Sequence, residues 1–290
     1  MDLIEQVSVI STGTVQIRPE HVETNGTPLL WWLNTSRQWT APLPINVYVI
    51  EHERGLVLFD TGQDRRSVTD PDYFPGGFIG HSYRRLAKFD IPADATLTKQ
   101  LSAGGYDIAD VRVAILSHLH QDHIGGLREL PRTAQVVVSA AELAEVDKRF
   151  AAVNGLMRDH IQLPGINWVP VSPQTFADDS IAPFSRAHDV MGDGSMLLLP
   201  TPGHTPGSLS LLLRSEGLGS MLFVGDLTYD AQLLTADRVP GVGVRAALHE
   251  TTKQVNELVA RFPGIPVLAA HDPTAAGRLA SALSGRGVGR

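Results

Sequence analysis

Val111-Arg112-Val113-Ala114-Ile115-Leu116-Ser117-His118-Leu119-His120-Gln121-Asp122-His123-Ile124-Gly125-Gly126 decides the reading of this chain. Residues 111–116 are apolar and largely β-branched apart from Arg112, the pattern of a strand covered on both faces. Three imidazoles and a carboxylate then fall within six positions. In an extended or tightly turned loop alternate residues point the same way. His118 and His120 can therefore share one metal ion, while Asp122 and His123 emerge toward a second position. Imidazole and carboxylate without sulfur suit zinc, manganese, iron or cobalt, and one site needs three or four such ligands.

Further ligands are to be sought at the ends of later apolar runs. His204 sits in Thr201-Pro202-Gly203-His204-Thr205-Pro206-Gly207, after the run at 196–199. Asp226 follows the run at 221–224, and His271 follows the one at 266–269. By spacing alone His204 and His271 stay open as ligands or as hydrogen-bonded rim residues. Asp226 and Asp60 stay open as functional groups or as turn residues. His21, His52, His81, His160, His188 and His249 read as hydrogen-bonded core or rim residues. Ligands gathered at one sheet edge from distant strands are what a preorganised two-metal site requires.

Around this centre the chain alternates strands and helices. Apolar runs at 45–50 and 56–59 flank the polar turn 51–55, which predicts a hairpin ending at Asp60-Thr61-Gly62. Residues 63–92, rich in Gly, Pro, Tyr and Phe without a clear period, read as a long irregular excursion of the kind that often serves function. A helix follows, with Asp94 as its N-cap, Leu97 and Leu101 on its apolar face and Gly104-Gly105 as its stop. After a strand at 135–138, Ser139 with Glu142 three positions on has the form of a capping box, predicting a helix to about residue 150. Residues 151–185 read as a second excursion. Strands at 196–199, 208–213 and 221–224, a helix from Arg245 to Arg261 and a strand at 266–269 complete the pattern. Helices and strands interleaved twice predict a layered α/β protein of two similar halves, one domain over 1–290 with the excursions as loops.

Composition narrows the function classes. The 290 residues carry 24 Lys+Arg against 31 Asp+Glu, a formal net charge of −7, with 43% hydrophobic and 19% charged residues, as in a folded globule. The absence of cysteine removes disulfides, thiolate ligands, thiol nucleophiles and iron–sulfur clusters. Apolar runs fall far short of the roughly 20 residues of a membrane span, and no basic cluster is denser than Arg84-Arg85. Neither a membrane nor a nucleic acid is an expected partner. Asp2 and Glu5 stand where a signal peptide begins with basic residues, so a cytoplasmic location is expected.

His118, His120, Asp122 and His123 stand as the His-x-His-x-Asp-His motif of the metallo-β-lactamase superfamily, which this sequence resembles over most of its length. The hairpin ending at Asp60, the Gly-His-Thr-Pro-Gly turn at His204, Asp226 and His271 extend the likeness. Within the superfamily the sequence is most similar to the N-acyl-homoserine lactone lactonases, which quench bacterial quorum signals. That likeness rests on histidine where many β-lactamases carry cysteine, on Asp226-Leu227-Thr228-Tyr229 and on the excursion at 63–92. Gln121 departs from the apolar or aromatic residue expected in its place.

The resemblance implies a four-layer αβ/βα sandwich holding two divalent metal ions, zinc first, with cobalt, manganese or iron as alternatives. One ion would be held by His118, His120 and His204, the other by Asp122, His123 and His271, with Asp226 bridging them. A hydroxide shared by the ions would open the lactone ring. Tyr229 would donate a hydrogen bond to the developing oxyanion, Asp122 would pass a proton to the leaving alkoxide, and Asp60 would orient the ligand loop. Trp32, Phe74, Phe78 and Met157 are expected along the acyl chain. The alternative on the same site is hydrolysis of another lactone, a thioester, an organophosphate or a β-lactam. Two readings lie outside the hydrolases. Di-iron oxidoreductases of the superfamily commonly carry Glu where His120 stands, and a metal-storing protein would show no turnover. A homodimer is compatible with all of them.

Overall fold

A computed structural model describes residues 3–285, so both ends of the expected 1–290 unit lie outside the described residues. The hairpin is present as β2 (Leu43–His52) and β3 (Gly55–Phe59), and it lies inside the first of two mixed sheets. In spatial order that sheet runs β4 (Ala87–Asp90), β1 (Ile4–Ile17), β2, β3, β5 (Val111–Ile115), β6 (Gln135–Ser139) and β7 (Asn167–Val171). Pairing is antiparallel from β4 to β3 and parallel from β3 to β7. The second sheet runs β13 (Val267–Ala269), β12 (Met221–Gly225), β11 (Leu209–Leu213), β10 (Met196–Pro200), β9 (Arg186–Asp189) and β8 (Gln174–Thr175), parallel only between β12 and β13.

Side-chain alternation builds four layers from these sheets. Phe59 and Ile115 of the first sheet meet Leu198, Leu211 and Phe223 of the second in a core between them. Leu58, Ala114 and Val136 turn the other way, onto Leu97, Leu101 and Ile124 of the helical segments. On the far side, Leu197, Leu212 and Leu222 pack against Leu248, Val255 and Leu258 of the helix Arg245–Arg261. Parallel β5 and β6 are apolar on both faces because both faces are covered. The fold is the αβ/βα sandwich expected, and no described helix is long and apolar enough to cross a membrane.

Several local expectations change. Residues 63–92 carry helices at Arg66–Thr69 and Gly77–Leu86 and the edge strand β4, and 151–185 carry 3-10 turns at Ala151–Asn154 and Asp179–Ile181, a helix at Arg158–Ile161 and strands β7 and β8. The helix Gly77–Leu86 carries an apolar stripe of helical period, Phe78, Ile79, Tyr83 and Leu86, which lines a cavity; Pro75-Gly76-Gly77 and Gly80 mask it in the sequence as breakers. Asp94 is not an N-cap. The helix Leu97–Ala103 starts after Thr96, and the Glu129 carboxylate accepts from the Leu97 and Thr98 amides at 3.3 and 2.9 Å. Ser139 does cap the helix Ala140–Val146, accepting from the Ala141 amide. Glu142, however, is fully buried and points away from Ser139, and the helix stops at Val146 rather than near residue 150.

Candidate metal centre

Every residue singled out as a ligand sits at or just beyond a strand end on one edge of the sandwich. His118 to His123 follow β5, His204 follows β10, Asp226 follows β12 and His271 follows β13. Local chemistry makes these turns possible. Gly225 has φ +54°, and a Cβ there would come within 2.7 Å of the Ser117 side chain, so only glycine lets β12 deliver Asp226 against the β5 loop. Asp60 also adopts a left-handed φ of 62°, a conformation a non-glycine residue keeps only when its surroundings hold it. Here the Ser117 amide and hydroxyl and the His123 ring, all donating to its carboxylate at 2.8–2.9 Å, do so.

Three overlapping groups could hold a cation: His118, His120 and His204; His118, His123 and Asp226; and Asp122, His123 and His271, the ligand atoms within each lying within 4.8 Å of one another. Asp226 Oδ1 is 3.4 Å from His123 Nε2 and 3.5 Å from His271 Nε2, and its Oδ2 is 3.5 Å from His204 Nε2. Asp122 Oδ2 is 3.5 Å from His271 Nε2. The donor set fits a divalent cation by a direct observation. Among the described residues, His118 Nε2, His123 Nε2 and Asp226 Oδ1 are buried without a hydrogen-bond partner, although a buried polar atom left unpaired is costly.

The outer hydrogen bonds decide which nitrogen each ring offers. A carbonyl can only accept, so His271 Nδ1 donates to Pro44 O at 2.9 Å and His120 Nε2 donates to Asn154 O at 3.0 Å. His123 Nδ1 likewise faces the Asp60 carboxylate. The nitrogens turned to the cluster are then Nε2 of His271 and His123 and Nδ1 of His120, the last lying 3.0 Å from His204 Nε2, the arrangement that orients metal-binding imidazoles. Burial and the surrounding imidazoles hold His118 well below the usual histidine range. Burial would raise Asp226, but His123 and His271 outweigh it and hold that carboxyl well below its usual range. Neutral imidazole and ionised carboxylate are the states a metal ion requires. Burial would lower His123, but Asp226 and Asp60 outweigh it and hold that ring well above the usual histidine range, so a bound cation there would displace a proton.

Glu142 supports two ligand loops at once. Its carboxylate accepts from the Leu119 amide at 3.2 Å, between His118 and His120, and from Thr205 Oγ1 and the Gly207 amide at 2.8 and 2.9 Å, beside His204. The capping-box pattern concealed this, because a Glu three residues after Ser has the same sequence signature whichever way it turns. Asn154 and Gly155 have no sequence signal either. Gly155 has φ +90°, and a Cβ on it would lie 2.4 Å from His120 Cδ2. Gly155→Ala is therefore expected to displace the His120 ring and lower metal affinity about 10–100-fold, the usual range for a disturbed ligand support. Metal titration of the purified variant measures it, and unchanged affinity would refute the packing argument.

Tyr229 is buried, and its hydroxyl donates to Asp226 Oδ2 at 2.8 Å and lies 2.9 Å from His21 Nε2. His21 is thus the hydrogen-bonded buried residue expected and in none of the three candidate ligand groups, but its partner is Tyr229 at the site, a placement that an isolated His after Pro19 does not announce. A cavity of about 420 Å³ opens onto His120, Asp122, His204 and Asp226, with Leu30, Leu33, Phe78, Ile79 and Val153 on its walls. Of the residues expected along an acyl chain, Phe78 lines it and is 73% exposed. Trp32 and Met157 are instead buried, and Phe74 stacks between Tyr83 and Phe89 without reaching the cavity.

Two packed mixed sheets with histidines and carboxylates converging at their strand ends define the class of protein, an αβ/βα sandwich with a candidate metal centre at one edge. Residues 40–271 match the family model of the metallo-β-lactamase superfamily, and the chain belongs to that superfamily. The N-acyl homoserine lactonase AttM of Agrobacterium fabrum is 30% identical over 270 residues, covering 92% of this chain and 93% of that one. The N-acyl homoserine lactonase AiiA of Bacillus thuringiensis subsp. kurstaki is 29% identical over 219 residues, 75% and 77% of the two chains. A solved structure of a B. thuringiensis AiiA mutant with N-decanoyl-L-homoserine bound at the active site has the same fold, with a TM-score of 0.73 at 24% identity over 93% of this chain and 94% of that one.

Proposed function

We propose that this chain opens the lactone ring of N-acyl homoserine lactones, using two divalent cations, zinc in the first instance. The observation that carries the reading is an apolar-walled cavity opening directly onto the metal-binding cluster, in a chain 30% identical to a lactonase along nearly its whole length. His118, His120 and His204 would hold one cation and Asp122, His123 and His271 the other, with Asp226 facing both groups. When bound, such a pair lowers the pKa of water toward neutrality and polarises the carbonyl that is attacked.

The chain's own residues supply the rest. Leu30, Leu33 and Phe78 give the acyl chain an apolar wall and exclude water from it. The Tyr229 hydroxyl exchanges Asp226 for the carbonyl oxygen of the substrate and donates to the charge that develops there. Asp122, partly open to the cavity, carries a proton to the leaving alkoxide oxygen. Tyr229→Phe is expected to keep full metal content and lower kcat about 10²-fold, the typical loss on removing one oxyanion donor. Wild-type turnover in that variant would refute the role of the hydroxyl.

The function itself is tested by adding a short-chain and a long-chain N-acyl homoserine lactone to protein of known metal content and following acid release with a pH indicator. Fast opening, abolished by a chelator and restored by zinc, is the expected result. No opening by the metal-replete protein would overturn the lactone reading and direct the search to thioesters and phosphotriesters.

A further inference from the structure

The Tyr229 phenol has one proton, and its neighbours determine where it goes. The hydroxyl donates to Asp226 Oδ2. Its oxygen must then accept from His21 Nε2 at 2.9 Å, which requires the ring to carry its proton on Nε2. The other nitrogen, Nδ1, is then a bare acceptor, and it is buried with no hydrogen-bond partner among the described residues. The ring of Trp32, whose Nε1 is a buried donor equally without a partner among them, lies 6.2 Å away. The phenol is held between His271, stacked at 5.5 Å, and His21, edge-on at 5.2 Å. His21 is itself anchored, since its carbonyl accepts from the Gly241 amide at 3.0 Å while the Thr24 amide donates to Val239 O at 2.9 Å. Nothing in the assigned metal chemistry uses His21, although it is buried and borders the cavity.

We infer that His21 is a positioning residue for Tyr229: its Nε2–H holds the phenol oxygen in place and commits the single phenol proton to the opposite side, toward Asp226 in the free site and toward the substrate oxygen during turnover. The inference rests on the proposed role of Tyr229. A second donor onto the phenol oxygen also polarises the O–H bond, so the hydroxyl becomes a better donor to a developing negative charge. Segment 18–24, which follows β1 and contributes no metal ligand, thereby gains a part in the reaction.

The test combines kinetics with a measurement independent of activity. With metal-loaded protein, His21→Phe is expected to lower kcat about tenfold, the loss of one buried hydrogen bond, with KM and metal content unchanged. His21→Gln, whose side-chain amide can donate from the same place, should recover most of that loss. The double variant His21→Phe, Tyr229→Phe should be no slower than Tyr229→Phe alone, because the one residue acts through the other. Losses that multiply, or that fall on KM or metal content, would overturn the inference.

Nitrogen NMR of histidine-labelled, metal-free protein decides the contact separately from catalysis. The ring signals that disappear in His21→Gln are expected to show a protonated Nε2 and a bare Nδ1, and the Nε2–H should exchange faster with water in Tyr229→Phe. A protonated Nδ1 in the wild type would remove the contact itself. Full turnover in Tyr229→Phe would instead remove the proposed role of the phenol, and with it the consequence for turnover, while leaving the ring signals as found. If the wild type opens no lactone, the proposed function falls and the ring signals still decide whether His21 holds the phenol.

Discussion

Asp226→Ala is expected to leave a folded protein that no longer retains its metal and opens lactones at background rate. Asp226 is the one side chain in the cluster that faces His123, His204 and His271 together, at 3.4 to 3.5 Å. Its removal takes away a buried negative charge next to histidines of all three candidate groups, leaving Asp122 as the only carboxylate among the residues of those groups. Disturbing a group that only supports a ligand typically costs about 10–100-fold in metal affinity. Loss of a ligand facing both positions should exceed that range. Tyr229 would also lose the acceptor for its hydroxyl. Elemental analysis of the purified variant beside the wild type measures the metal, and the pH-indicator assay measures turnover. A variant with wild-type metal content would show that Asp226 is not a ligand. The contrast with Tyr229→Phe, which should lose turnover and keep metal, separates binding from chemistry.

The second large effect is expected from Glu142→Ala, a change at a residue that touches neither metal nor substrate. The side chain is fully buried, and its removal strands the Leu119 and Gly207 amides in the interior. Thr205 is not stranded, since its hydroxyl can turn to Ser208 Oγ at 2.7 Å. An unpaired buried donor costs about 1–3 kcal/mol, so two of them should destabilise the fold by about 2–6 kcal/mol. At roughly 2–4 °C per kcal/mol for a protein near this size, Tm should fall by roughly 5–20 °C. Metal affinity should fall as well, because the same carboxylate ties the loop of His118 and His120 to the loop of His204. Glu142→Gln keeps one acceptor oxygen and should lose about half as much. Thermal unfolding of metal-free protein and a metal titration check the two consequences, and an unchanged Tm in Glu142→Ala would refute the clamp.

What was legible in the residues and what was not follows from the range of each interaction. The run at 111–116 announces β5 because a strand covered on both faces must be apolar throughout, and the helix Arg245–Arg261 is found with the bounds its apolar period predicts. The Gly77–Leu86 helix is masked although its apolar side chains share one face, because Gly76, Gly77 and Gly80 read as helix breakers in an irregular stretch. Strand β1 was also unread: it mixes polar and apolar residues over fourteen positions and is half-buried along much of its length, so neither strict alternation nor a continuous apolar run marks it.

By itself the sequence determined the layered α/β class, the strands that carry the site and the side chains available to a cation, because strand patterns and clustered histidines are properties of neighbouring residues. Only the tertiary structure decided which nitrogen each imidazole offers, that Glu142 joins two loops instead of capping its own helix, and that His21 meets Tyr229 across 208 positions of chain. Those choices are made by hydrogen bonds between segments brought together in packing, and a contact between distant segments imposes no period or spacing on either of them.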